Sequence, residues 1–287
     1  MAIKITATFV ILLCSTSIVA TIICSLCSQG VATTMRTTKQ CLAGVRTKDG
    51  RAKKFYGTRA SLSFYKPKVL STQSSSTRIK LTNGEESIEV GYMVNPEVFK
   101  DYEAHLYSKF TVGGKGCINT HCGRFVEVDT RMRLGIIPNT YSQIRGEKST
   151  WNLTIEKDRA DGNWWIILTE GQDKFSIGYW PKNLFSSMAE YATQVEWAGE
   201  VYYGIVPDSP PEMGSGYNAV YDTRVASFFR DVTVLKEDFK FVQPDETEVF
   251  SNCPKVYTVL DAGSQGDYWG RLMFYGGPRR PKSILSW

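Results

Sequence analysis

Histidine is nearly missing from this chain: there are two, His105 and His121. A serine or cysteine nucleophile needs a well-placed imidazole as its base. His105 lies in an apolar-alternating stretch and His121 is enclosed between Cys117 and Cys122, so neither suits that task. Met213-Gly214-Ser215-Gly216 lacks the spacing of a nucleophile elbow and no strand leads into it, which leaves Ser215 as a turn residue. H-E-x-x-H, the P-loop and G-x-G-x-x-G after a strand are absent. Acidic and glutamine-rich tracts are absent too, and the many aromatics and glycines belong to a packed globular protein.

A uniform basic surface is also missing. Arg36 to Lys68 holds ten Lys or Arg against one acid, Asp49, whereas Val69 onward has 23 basic and 28 acidic residues. The net positive charge belongs to one segment, and nucleic acid is not an expected partner.

The N-terminus is read before the fold. Met1 to Lys4 is a short basic start, and Ile5 to Cys27 is an unbroken run of apolar and small residues. Residues 1–30 are therefore expected to be a signal peptide, with an uncleaved signal anchor as the alternative because the run is long enough to span a bilayer. A secreted protein is expected, with membrane association only if that segment stays attached. Residues 31–54 are polar and basic and read as a linker or short propeptide, followed by one domain over 55–287.

Three of the seven cysteines lie in the signal segment, leaving Cys41, Cys117, Cys122 and Cys253 for an oxidising compartment. Cys117 and Cys122 are close enough to close a small loop. Zinc is the alternative, but two histidines and no second C-x-x-C pair beside them make a poor ligand set, and a disulfide is expected. Asn152-Leu153-Thr154 is a glycosylation sequon.

From about Tyr56 the chain reads as strand after strand. Ala60, Leu62 and Phe64 alternate with polar residues, as do Ile79 and Leu81 before the turn pair Asn83-Gly84. Ile88, Val90, Tyr92 and Val94 share one face. Trp151, Leu153 and Ile155 follow the same rule, and Trp164–Leu168, Val195–Tyr203 and Val232–Leu235 continue it. Short strands with regular turn signals describe an antiparallel β-sandwich or barrel. One short helix is expected after Trp180-Pro181, where Leu184, Met188 and Tyr191 share a helical face.

Elimination leaves carboxylates as the chemistry. Glu89 points away from the face of Ile88, Val90 and Tyr92, and Gly91 is its small neighbour. In "QVEWAGEVYYG", residues 194–204, Val195, Trp197, Val201 and Tyr203 form the apolar face, and Glu196, Ala198, Glu200 and Tyr202 form the other. Small residues beside each acid fit the floor of a groove. A glycosidase pair of Glu196 and Glu200 fails on distance, since four strand residues span about 13 Å and such pairs stand about 5 Å or 6.5–9.5 Å apart. A partner for Glu200 must come from another strand, and Glu89 is the natural one. On periodicity alone, two solvent-facing strand residues are the plain alternative.

Several segments carry a specific resemblance. "IEVGYMVNP" from Ile88, "GCINTHCGRFVEVD" from Gly116, "LGIIP" from Leu134, "DGNWWI" from Asp161 and "IGYWPKNLF" from Ile177 are joined by "VEWAGEV" from Val195, "MGSG" from Met213, "FFRDVTVL" from Phe228 and "FYGGP" from Phe274. Together they resemble the neprosin peptidase domain, a secreted, mainly plant family of glutamic endopeptidases, over about residues 55 to 280. The resemblance implies an antiparallel β-sandwich with a concave substrate groove, no cofactor or metal, and peptide or protein substrates. It implies two catalytic glutamates: Glu89, in the I-E-x-G-[WY] motif, and Glu200, in the W-G-G-E-V motif with Ala198 in place of the first glycine. Acid pH and cleavage after proline are further family habits. A catalytically inactive sandwich that binds peptide or glycan in the same groove is the alternative function.

Two departures stand out. The segment 31–54 is far shorter than the family's activation domain, and no cysteine follows "YGGP", where relatives commonly supply one. Cys253 is thereby left to pair with Cys41, to stay free, or to bridge to another molecule.

Overall fold

Apolar residues at every second position need a partner surface on one side only, and antiparallel sheets packed face to face supply it. The computed structural model describes residues 38–48, 53–204 and 209–279. The signal-peptide reading of residues 1–30 falls outside them. No helix among the described residues is long and apolar enough to cross a membrane.

In chain order the strands are β1 (Thr38–Thr47), β2 (Gly57–Ser63), β3 (Ser74–Asn83) and β4 (Glu86–Val94), followed by the one-turn helix α1 (Pro96–Phe99). Then come β5 (His105–Val112), β6 (Lys115–Ile118), β7 (Val126–Glu127), β8 (Thr150–Lys157), β9 (Trp164–Glu170) and β10 (Asp173–Trp180). Next are β11 (Gln194–Gly204), β12 (Ser227–Leu235), β13 (Phe241–Val242), β14 (Thr247–Ser251) and β15 (Thr258–Ser264). The short helix α2 (Gly266–Trp269) precedes β16 (Arg271–Gly276).

Seven strands form one antiparallel sheet in the order β14-β1-β11-β3-β4-β5-β6. The other sheet has nine, β15-β16-β12-β2-β8-β9-β10-β7 with β13 on β12. Their inner faces share one core, in which Ile79, Val90, Val201 and Trp197 of the first sheet are buried with Leu62, Ile155, Trp164 and Trp180 of the second. The Trp197 indole N–H donates to Thr58 Oγ1 at 3.1 Å, so this buried tryptophan is satisfied across the sandwich.

Two expectations from sequence need correction. Residues 38–47 are not linker but β1, paired with β11 from Thr38↔Gly204 to Arg46↔Glu196. Its inward residues Cys41, Ala43 and Val45 are buried but small, which hides the alternation. The helix expected after Pro181 is only a 3-10 turn, Lys182–Leu184. Glu86 at the start of β4 explains this: its carboxylate accepts the N–H groups of Ser186 (2.8 Å) and Met188 (2.8 Å), the latter being the donor a helix would have used. Met188 still buries its side chain, and its carbonyl accepts the Trp164 indole N–H at 2.8 Å.

Both disulfides lie in the described residues. Cys117 and Cys122 are bonded as expected, and Cys253 is bonded to Cys41, which ties β1 to the loop after β14.

Candidate active site

The outer face of the seven-stranded sheet carries the charged residues, and register decides which of them meet. The β3–β4 hairpin turns at Gly84-Glu85, with Asn83 opposite Glu86. Counting back from that turn puts Lys80 opposite Glu89 and Arg78 opposite Gly91. On the other flank of β3, Arg78 is opposite Ala198 and Glu200 is opposite Ser76. Arg78 thus projects between two small residues, with an acid diagonal to it on each side.

Gly91 and Ala198 set how closely the strands can approach beneath that guanidinium. A Cβ at Gly91 would stand 1.8 Å from the Thr77 carbonyl oxygen, so no larger residue fits without moving β3. Ala198 is wholly buried.

Arg78 is 2 % exposed, and it gathers three carboxylates. Its Nε stands 3.1 Å from Glu200 Oε2 and 3.6 Å from Glu89 Oε2, and its Nη1 stands 3.1 Å from Glu196 Oε2. Glu89 and Glu200 are 3 % and 4 % exposed and come to the same nitrogen from the strands flanking β3. Both carboxylates thus converge on one cation, although their sequence positions are more than a hundred residues apart. Burial opposes the guanidinium charge, but the three acids outweigh it and hold Arg78 protonated well above its ordinary range.

The two acids are not equivalent. Glu200 Oε1 accepts the Gln40 side-chain amide and the Tyr202 hydroxyl (2.9 Å), and the Gln40 amide also reaches Tyr202 Oη at 2.7 Å. Burial by itself would raise the Glu200 carboxyl, but Arg78, Gln40 and Tyr202 prevail and pull it down to about 2. Among the described residues, Glu89 Oε1 accepts only the Tyr107 hydroxyl, at 3.1 Å. Burial and the neighbouring Glu89 push Tyr107 well above its usual range, so it stays a donor.

Both acids open onto a groove of about 460 Å³, bounded by Ser74, Met93, Asn95, Lys109 and Tyr202 among others. This arrangement can hold one carboxylate ionised beside another with fewer donors, the layout that general acid–base hydrolysis requires.

The other sequence candidates lie elsewhere. Asn152 is half-buried on β8 of the second sheet, with its amide 3.4 Å from Ser61 Oγ. Cys117 and Cys122 lie on and after the edge strand β6. His105 is structural: its ring bonds Gly135 O and Asp101 and stacks on Phe99. Sequence reading missed Arg78, Gln40, Tyr107 and Tyr202. For Arg78 the signal was available, because the hairpin turn fixes the register that places it between Gly91 and Ala198.

Two solved structures are similar to this chain at 10% identity. The crystal structure of scytalido-glutamic peptidase with a peptide-based transition-state analog has a TM-score of 0.46 and covers 84% of this chain and 99% of that one. The structure of SCP-B, a member of the eqolisin family of peptidases, in a complex with the tripeptide Ala-Ile-His has a TM-score of 0.45 and covers 83% and 98%. The neprosin family model matches residues 71–278, from the loop before β3 to the end of β16, and the chain belongs to the neprosin family of glutamic-type peptidases.

Proposed function

We propose that this protein is a secreted endopeptidase in which Glu200 is the general base and Glu89 the general acid. The unequal donor sets carry this assignment. Glu200 has a guanidinium, an amide and a hydroxyl stabilising its charge, whereas Glu89 has one hydroxyl bond and a longer approach to Arg78. Glu200 takes a proton from water as the water oxygen bonds to the peptide carbonyl carbon. Protonated Glu89 gives its proton to the amide nitrogen as the C–N bond breaks. Two neighbouring carboxylates do not ionise together easily.

Cleavage after proline and an acid working range follow from the family resemblance. Secretion rests on the apolar N-terminal run and on two disulfides, which persist in oxidising compartments. A glycan at Asn152 belongs to the same reading, and endoglycosidase treatment of secreted protein would reveal it as a mass loss.

A groove that only holds peptide is the second reading, favoured by Arg78, which neutralises both glutamates from below. The test is digestion of proline-containing peptides across acid pH by the unsubstituted protein and by Glu89→Gln and Glu200→Gln. Loss of cleavage in both folded variants supports the dyad. Full activity in either would sink it, and no cleavage by the folded unsubstituted protein would favour the binding module.

A further inference from the structure

The row of side chains through Glu89 continues past the acid. Register places Lys80 of β3 on one side of Glu89 and Lys109 of β5 on the other, with Ile118 of β6 beyond Lys109. Opposite charges facing each other across strands ordinarily pair. Lys109 does not: among the described residues its ammonium makes no ion pair within 4.0 Å. The Glu89 carboxylate is engaged elsewhere, Oε1 by Tyr107 and Oε2 by Arg78, and Glu196 and Glu200 are likewise drawn to Arg78.

Lys109 is half-buried and lines the same groove as Glu89 and Glu200. Its stem lies over Gly116 of β6, where a Cβ would come within 3.2 Å of Lys109 Cε. Lys109 thus meets the groove with no protein carboxylate on its ammonium within 4.0 Å among the described residues. Gln73, Ser74 and Tyr202 add neutral groups to the lining of the groove, and Glu97 adds an exposed acid.

We propose that Lys109 is a specificity residue that receives an acidic side chain of the substrate. The proposal rests on the peptidase reading. Glu89 serves the leaving amine, so its side of the groove holds the part of the chain that follows the scissile bond. Substrates with Asp or Glu shortly after the cleaved bond are favoured, because that carboxylate supplies the ion-pair partner Lys109 lacks.

Binding tests this apart from turnover. Two fluorescent peptides, identical except for Glu or Gln at the second position after proline, are titrated against the full chain carrying Glu200→Gln near neutral pH. The Glu peptide is expected to bind about fivefold tighter, as a part-exposed ion pair allows. The gap should close below about pH 4, where a free glutamate side chain is protonated, and at about 1 M salt, where screening acts within about 3 Å. It should vanish with Lys109→Gln and persist with Lys109→Arg. Competition of the two peptides for hydrolysis by the unsubstituted protein gives the same ratio without relying on the Glu200→Gln fold. Equal affinities, or a gap that survives Lys109→Gln, overturn the proposal. A gap without any cleavage refutes the peptidase reading and leaves the subsite standing, whereas cleavage without a gap does the reverse.

Discussion

Arg78 donates through Nη1 to Glu196 Oε2 at 3.1 Å, and this bond turns its Nε toward Glu89 and Glu200. Glu196 is too far along β11 to touch Glu200 directly, yet it orients the cation that both other acids use. A guanidinium holds this geometry because its nitrogens are fixed in one plane. Removing it by Arg78→Met leaves three acids crowded without their cation. Breaking a buried ion pair from one side costs about 3–5 kcal/mol, so urea unfolding at neutral pH should show a loss of that order. Glu196→Gln keeps a neutral acceptor and should leave stability nearly intact, while misplacement of the guanidinium lowers kcat/KM by up to about 10²-fold.

Sequence periodicity found most of the sandwich because the inward residues of β2, β3, β4, β8, β9 and β11 are large and apolar. It also put Glu89 and Glu200 on outward faces. It failed at β1, whose inward residues are Cys41, Ala43 and Val45, and whose basic neighbours resemble a linker. The 181–191 segment failed differently: helical spacing was present, but Glu86, about a hundred residues upstream, took the backbone donors. Gln40 was out of reach for the first reason, since only β1 brings it to Glu200. The role of Glu196 was hidden because it runs through Arg78, a contact that depends on the pairing of three strands.

Gln40 and Tyr202 set the acid limit of the proposed base. Their hydrogen bonds help hold the Glu200 carboxyl at about 2 rather than its ordinary 4.5. The acid limb of kcat/KM, which reports the free enzyme, should therefore move to higher pH in Gln40→Ala and in Tyr202→Phe. A pH–rate series on one proline peptide checks this, and an unmoved limb would detach Glu200 from the base role.

The same depression enters stability. Because the folded value lies below the ordinary 4.5, the contribution of Glu200 is complete above about pH 4.5 and disappears as pH falls through about 2. Urea midpoints measured down that range should drop less steeply in Glu200→Gln than in the unsubstituted protein.

Cys41–Cys253 spans 212 residues of sequence and Cys117–Cys122 spans 5. Loop-closure entropy assigns about 5 kcal/mol to a link of the first kind and about 2 kcal/mol to the second. Cys41→Ser with Cys253→Ser should accordingly destabilise more than Cys117→Ser with Cys122→Ser in urea unfolding. The first pair should also lower activity, since Gln40 is the neighbour of Cys41 on a strand that has lost its tie.

Gly91 is where packing and chemistry meet most tightly. Its alanine Cβ would fall 1.8 Å from Thr77 O, a backbone atom that cannot rotate away, so β3 itself must shift. Overfilling a packed site typically costs about 1–3 kcal/mol, and a backbone clash belongs at the upper end. The shift would carry Arg78, which follows Thr77 directly, away from Glu89 and Glu200. Gly91→Ala should thus lower the melting temperature and depress peptide cleavage together. Ala198→Gly, which removes a methyl group from the other side of Arg78, should leave cleavage nearly unaltered. If Gly91→Ala were destabilised yet fully active, the dyad would not depend on the placement of Arg78 and the electrostatic assignment of Glu200 as base would fall with it.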